Sequence, residues 1–283
     1  MYVSLVDRPS KLIGGNKMVS TASIVVIIIN MILGIVFPTA LCIFYKKKYN
    51  TSLKAFWIGA AVMLVFALIL ESGFHQLVLR TPIGITIFTS PVWYCIYGGL
   101  AAGIFEECGR FLAMKFVLKK EQGNNNNALM YGAGHGGFEA FFLLSIGQIN
   151  NLIYSFAINA KQTELLTGPL DEANKVALEQ IFDELINSSP VMFLVSPIER
   201  IAAIAAQIAL SVLVWTAVKY GKNKIGLLFL AILLHASLDT IPVLFKNLCG
   251  LKGFVLEGIV YVLAIAIVLI SRCVWKKNLA EQR

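Results

Sequence analysis

Charged residues are scarce in this chain of 283 residues. Only 14% of them are Asp, Glu, Lys or Arg, and 58% are hydrophobic. A soluble domain is about a quarter charged and about half apolar. The composition therefore excludes a soluble globular protein and indicates an integral membrane protein.

The chain also has no CxxC cysteine pair, no evident internal repeat and no soluble domain. Its five cysteines fall mostly inside apolar runs, which argues against a disulfide framework. Many transporters contain inverted repeats and broken spans, so the lack of a repeat weighs against transport. The first apolar run is too long for a signal-peptide core, and we expect it to be a retained helix.

Long apolar runs dominate the rest of the sequence, and each is long enough to cross a bilayer. They lie near residues 19–45, 54–70, 89–118, 128–150, 191–218, 225–245 and 254–272. We predict an all-α, polytopic membrane bundle of about seven transmembrane helices, with residues 1–283 forming a single transmembrane domain.

Basic residues are concentrated in alternate connections, and the positive-inside rule places these connections in the cytoplasm. The groups are Lys46, Lys47, Lys48 and Lys54; Lys115, Lys119 and Lys120; Lys219, Lys222 and Lys224; and Arg272, Lys276 and Lys277. The polar segment 161–190 holds six acidic and two basic residues, which suits an outer loop with a short amphipathic helix. The N-terminus is then outside and the C-terminus cytoplasmic. Beside anionic lipid these cations act as topology determinants, and we expect no nucleic-acid partner.

Histidine is rare, and two of the three histidines lie in the middle of apolar runs. His135 is followed one helical turn later by Glu139, and His235 by Asp239. Ionisable groups cost several kcal/mol in a bilayer and usually mark a functional site. The third, His75, lies at an apparent outer boundary, and we interpret it as interfacial.

A further apolar run carries Glu106, Glu107 and Arg110. Arg110 follows the two glutamates by one turn and can neutralise one of them. Because adjacent helical residues point about 100° apart, we expect one glutamate to face the site and the other to be structural.

Helical rise places these groups at similar depths. From the basic ends, Glu106 and Glu139 lie roughly 18 Å deep, His135 roughly 12 Å, and Gln207 and His235 roughly 16 Å. All fall near the middle of an apolar core about 30 Å thick. Each cluster alone could be a structural ion pair, but their shared depth predicts one site.

Two further features bear on how these clusters meet. Gly99-x-x-x-Gly103 and Gly132-x-x-x-Gly136 flank the charged clusters and permit close helix packing. Glu199 and Arg200 fall nearer the outer face, and we assign them to a different layer.

Two mechanisms are open for a glutamate and two histidines. His135 and His235 could bind zinc, with Glu139 and Asp239 each holding a ring tautomer. Alternatively, Glu106 could activate water without a metal, while the histidines stabilise the substrate oxyanion.

The motifs resemble those of the CAAX-protease and bacteriocin-processing (CPBP) superfamily of intramembrane endopeptidases. Glu106, Glu107 and Arg110 match its EExxR motif. Tyr131-x-x-x-His135 resembles FxxxH, and His235-x-x-x-Asp239 matches HxxxN/D.

The run Gly134 to Glu139 and the pair Glu199-Arg200 look more specifically like the YhfC family. The resemblance covers about residues 90–245, which would be the catalytic-like core, and implies a multi-pass protein of a bacterial cytoplasmic membrane.

The resemblance implies a role for each matching residue. Glu106 would activate water, while His135 and His235 would bind a metal or stabilise the oxyanion. Asp239 would orient the site and Arg110 would pair with Glu107. The substrate would be a membrane-associated protein or peptide, and the superfamily has been described both as metalloproteases and as glutamate-dependent proteases.

One residue departs from the family pattern. Gln207 stands where many YhfC-type sequences are expected to carry histidine, and an amide is a poor zinc ligand. A non-catalytic scaffold or immunity protein, and a proton-coupled transporter, are therefore alternatives to the protease.

Overall fold

The computed structural model describes residues 18–280, which contain helices and no strand. The predicted all-α class is confirmed. The α-helices, in chain order, are α1 (Thr21–Tyr49), α2 (Leu53–Val62), α3 (Ser72–Leu79), α4 (Pro82–Thr89), α5 (Pro91–Leu112), α6 (Asn127–Phe141), α7 (Gly147–Asn159), α8 (Glu164–Thr167), α9 (Glu172–Asn187), α10 (Val195–Tyr220), α11 (Gly226–Cys249) and α12 (Phe254–Asn278).

Within these residues, six helical stretches are long and apolar enough to cross a membrane, or seven if one bent pair is counted as a span. The six are Thr21–Tyr49, Leu53–Leu79, Asn127–Asn159, Pro190–Asn223, Gly226–Cys249 and Phe254–Asn278. The protein is thus a multi-pass membrane protein, as predicted. The orientation of its termini stays a prediction.

The bent pair consists of Pro82–Thr89 and Pro91–Val117, which meet at 111°. Pro91 is the first residue of α5, where its missing N–H and fixed φ suit a helix start. The preceding Ser90 is extended and accepts a 3.5 Å hydrogen bond from the Trp93 N–H. The chain therefore changes direction before the helix that carries Glu106.

Three spans contain a wide, π-helical segment. These segments are Met63–Glu71 between α2 and α3, Ala113–Val117 after α5, and Phe142–Ile146 between α6 and α7. Such segments occur often at functional sites, because the extra residue re-aims the side chains that follow.

The described chain divides into two compact units, and the first comprises residues 18–35 and 142–197. Its apolar core contains Ile27, Ile158 and Phe182. The amphipathic helix predicted in segment 161–190 corresponds to α9 in this unit. Asp171 caps α9 by accepting a hydrogen bond from the Asn174 N–H, which lowers the pKa of its carboxyl.

The second unit comprises residues 36–141 and 198–280, and its core is built from α2, α6, α10, α11 and α12. Helix α5 packs along α11, and α2 packs along α6. Glycine makes the first approach possible, since a Cβ at Gly103 would lie 2.7 Å from the Ile232 carbonyl oxygen. A Cβ at Gly136 would lie 2.8 Å from Cβ of Gln207, so α6 is equally close to α10. The Gly99–Gly103 motif thus packs α5 against α11, and the Gly132–Gly136 motif packs α6 against α10.

Candidate active site

Helices α5, α6 and α11 bring Glu106, His135 and His235 together inside the second unit. Oε2 of Glu106 lies 2.8 Å from Nε2 of His135 and 3.8 Å from Nε2 of His235. The three residues are 6%, 0% and 2% exposed. The candidate catalytic residues predicted from three separate apolar runs therefore share one buried centre.

Glu107 also belongs to this centre. Its Oε1 lies 2.8 Å from Nδ1 of His235, and its Oε2 lies 3.5 Å from Nε of Arg110. Glu107 contacts both the Arg110 guanidinium and a site histidine, and the division into one site-facing and one structural glutamate stays a prediction. Glu106 thus contacts His135 on α6, while Glu107 contacts His235 on α11.

The hydrogen bond from His235 defines its tautomer. An ionised carboxylate only accepts, so we assign the proton to Nδ1, which donates to Glu107. In the neutral ring, Nε2 then carries a lone pair that faces Glu106. The Nε2 atom lies 3.5 Å from Oδ2 of Asp239. We had expected Asp239 to hold this ring's tautomer, whereas Glu107 does so. The Asp239 side chain is 42% exposed and borders the centre.

Gln207 on α10 connects the charged groups. Its Oε1 accepts a 2.5 Å hydrogen bond from Arg110, and its Nε2 lies 3.2 Å from Oε2 of Glu106. Nε2 also lies 3.3 Å from Oε2 of Glu139. Arg110 further donates to the Gln207 carbonyl at 3.0 Å and to Ser211 at 3.2 Å. The Gln207 amide thus accepts from Arg110 and donates to Glu106 and Glu139.

Glu139 continues this network toward α10. Nη1 of Arg200 lies 2.5 Å from Oε1 of Glu139, and its Nη2 lies 2.5 Å from Oε1 of Glu199. The assignment of Glu199 and Arg200 to a separate layer was therefore wrong, since Glu139 joins Arg200 to Gln207. Glu139 was also expected to hold the His135 ring, but Nδ1 of His135 is buried without a hydrogen-bond partner among residues 18–280.

Tyr131 orients His135 from the preceding helical turn. The two rings stack with centroids 6.1 Å apart and an interplanar angle of 23°. Tyr131 is fully buried, and its hydroxyl has no hydrogen-bond partner in the described part of the chain. Its ring is therefore the part that contacts the site, which explains why an aromatic residue suits this position.

A further polar group joins His75 and Glu71 to Tyr97 on α5. His75 lies in the span Leu53–Leu79, with Nε2 3.2 Å from Glu71 and Nδ1 2.8 Å from the Tyr97 hydroxyl. His75 lies four residues before the end of this span, and its interfacial position stays a prediction.

Comparisons with known proteins identify relatives of this chain. A family model described as YhfC intramembrane metalloprotease matches residues 29–260. The chain belongs to the YhfC family. It is 40% identical over 231 residues to the uncharacterized membrane protein YhfC of Bacillus subtilis (strain 168). The aligned region covers 81% of this chain and 88% of that protein. No solved structure matches the chain.

The YhfC family description implies a metal, and the residues can be tested for one. Among residues 18–280, no group of three or more His, Cys, Asp or Glu side chains is arranged to hold a metal ion. Nε2 of His135 is at hydrogen-bonding distance from Glu106. Metal binding at that nitrogen would move the ring proton to Nδ1, where the described residues offer no acceptor. The residues as arranged do not fit a metal centre.

Proposed function

We propose that this protein is an intramembrane endopeptidase that hydrolyses a peptide bond in a membrane-associated protein or peptide. The observation that carries the proposal is the convergence of His135, His235 and Gln207 on one oxygen of the buried Glu106. A transmembrane site with a carboxylate and two imidazoles is suited to moving protons. The family name and the CPBP-like motifs support the same activity.

Glu106 is the general base in this proposal. It takes a proton from a water molecule, and the resulting hydroxide attacks the carbonyl carbon of the scissile bond. When the C–N bond breaks, Glu106 returns the proton to the leaving nitrogen, so no proton is gained or lost. Burial strengthens these charge interactions, because little water screens them.

His135 stabilises the charge that develops on the carbonyl oxygen, and His235 does so when both of its ring nitrogens carry protons between Glu107 and Glu106. His135 carries its proton on Nε2 and can donate it toward the reacting oxygen. His235 is held by Glu107 through Nδ1, so its Nε2 faces the reacting atoms in one orientation. Glu107 and Arg110 are therefore positioning residues, and Asp239 borders the place where substrate would enter.

Water activation in this proposal needs no metal. Gln207 supplies a neutral N–H to Glu106 at the position where a third imidazole would favour zinc. Arg110 orients that amide by donating to its oxygen. The carboxylate is thus held by protein hydrogen bonds.

Cleavage of quenched transmembrane peptides in liposomes tests the proposal. Glu106→Gln keeps the size and hydrogen-bonding shape of the side chain but removes the base. We expect a loss of about 10²–10⁴-fold in cleavage rate, the usual contribution of general-base catalysis. Mass spectrometry of the products identifies the bond that is cut.

The matched control is Glu184→Gln on α9, an exposed position outside the site. It should cleave like the wild type. A Glu106→Gln protein that is folded and retains the wild-type rate would refute the assigned role. A wild-type protein that cuts no peptide of a diverse panel would favour the scaffold, and proton uptake into the liposomes would favour the transporter.

A further inference from the structure

The second unit contains a cavity that is separate from the Glu106 centre. Its volume is ≈ 960 Å³, within the roughly 300–1,000 Å³ typical of ligand pockets. One side is apolar and is formed by Leu129, Ile208, Val212 and Val268. Ile208 follows Gln207 on α10 but lines this cavity, so the two sites use different faces of one helix.

The other side of the cavity is polar and lies among the basic connections. It includes Asn124, Asn126, Tyr49, Trp275 and Arg272. Tyr and Trp are enriched where membrane helices meet the lipid headgroups. We therefore expect the polar lining to lie at the headgroup level and the apolar lining to face the membrane interior.

Arg272 is the cation that this cavity offers to a ligand. It is exposed and has no hydrogen-bond or ion-pair partner among residues 18–280. The nearby Lys219 instead donates to Oδ1 of Asn125 at 2.7 Å, and Asn125 donates to the Leu279 carbonyl at 3.0 Å. Those polar groups are committed to the protein, whereas Arg272 is not.

We propose that this cavity binds one anionic phospholipid. The phosphate lies at Arg272 and the asparagine-rich connection, and an acyl chain lies along Ile208, Val212 and Val268. Basic pockets between transmembrane helices at the positive side of a membrane protein recognise such headgroups. Val268 is 36% exposed, so the apolar side can be reached from the surrounding bilayer.

Native mass spectrometry of protein extracted from bilayers of equal phosphatidylglycerol and phosphatidylcholine tests this inference. The wild type should retain one phosphatidylglycerol in preference to phosphatidylcholine. Arg272→Gln should lose about fivefold in retained phosphatidylglycerol, the effect of one basic residue near the headgroups. Ala205→Phe, which fills the cavity, should lose both lipids.

Lys277→Gln is the control, because Lys277 is an exposed cation on the same helix that does not line the cavity. It should retain lipid like the wild type. Equal losses in Arg272→Gln and Lys277→Gln would overturn the proposal, as would equal retention of the two lipids by the wild type. Retention by a folded Ala205→Phe protein would show that the lipid binds elsewhere and would overturn it too.

Discussion

Glu106 and Glu107 are adjacent in the chain and are both buried, yet their surroundings differ. Glu106 faces hydrogen-bond donors from α6 and α10, together with the open Nε2 of His235. Glu107 lies between the Nδ1 proton of His235 and the Arg110 guanidinium. Arg110 compensates the charge of Glu107, while Glu106 keeps an environment in which a proton can be exchanged. Neighbouring residues of one type thus take different roles.

Gln207 is the residue that separates the two mechanisms most directly. Its replacement by histidine would place a third imidazole beside Glu106, His135 and His235. Three imidazole or carboxylate ligands and one open position are typical of catalytic zinc sites.

We expect wild-type protein, loaded with zinc and then washed, to hold well under one zinc per chain. Its peptide cleavage should be insensitive to chelators. Gln207→His should retain several-fold more zinc, because histidine is a far better zinc ligand than an amide. Elemental analysis of the washed proteins measures the difference.

Ile208→His serves as the control, since it adds a histidine to α10 at a position that lines the separate cavity. It should not raise the zinc content. Stoichiometric zinc in active wild-type protein that is lost in His135→Ala would contradict the metal-free mechanism.

Among the elements, the pair α5 and α11 is the one on which the site depends most. Helix α5 carries both glutamates and α11 carries His235, and they pack along each other. The close approach requires glycine at position 99, because a Cβ there would lie 2.6 Å from the Ala236 carbonyl oxygen. That contact lies one residue from His235.

Gly99→Ala should therefore lower the thermal unfolding midpoint in detergent and reduce cleavage. Overpacking of this kind costs about 1–3 kcal/mol. Gly98→Ala is a matched control on the same helix, since a Cβ at Gly98 would meet nothing within 4 Å. Because alanine favours a helix more than glycine does, Gly98→Ala should leave the free energy of unfolding unchanged or raise it by up to about 1 kcal/mol. Equal destabilisation by both changes would contradict the requirement for close packing.

For the whole molecule, the distribution of basic residues predicts the orientation in the membrane. The connection at Gly123 should lie in the cytoplasm, and α8 should lie outside. In intact cells, the single cysteine of Leu165→Cys should react with an impermeant maleimide. The single cysteine of Gly123→Cys should not react.

Both positions are suitable for labelling, because Leu165 is 72% exposed and a Cβ at Gly123 would meet nothing within 4 Å. The five natural cysteines are first replaced by serine. A permeant maleimide should label both variants, which controls for expression and folding. The reverse labelling pattern would show that the charge distribution does not decide this topology.

The helical class and the six to seven spans were predictable because hydropathy and helix length depend on nearby residues. The shared depth of Glu106, His135 and His235 followed from helical rise alone. Depth does not specify which way a helix is rotated, however. For that reason Glu139 contacts Arg200 and Gln207 and does not hold His135, and Glu107 rather than Asp239 holds Nδ1 of His235.

The sequence by itself determined that this protein is a multi-pass helical membrane protein with carboxylates and histidines at a common depth. These properties are read along one chain, where each residue contributes almost independently. Only the tertiary structure decided that Glu107 holds His235, that Gln207 links Arg110 to Glu106, and that Arg200 joins this network. Those contacts connect different helices over distances of about 3 Å, so they depend on helix rotation and packing that no local pattern records.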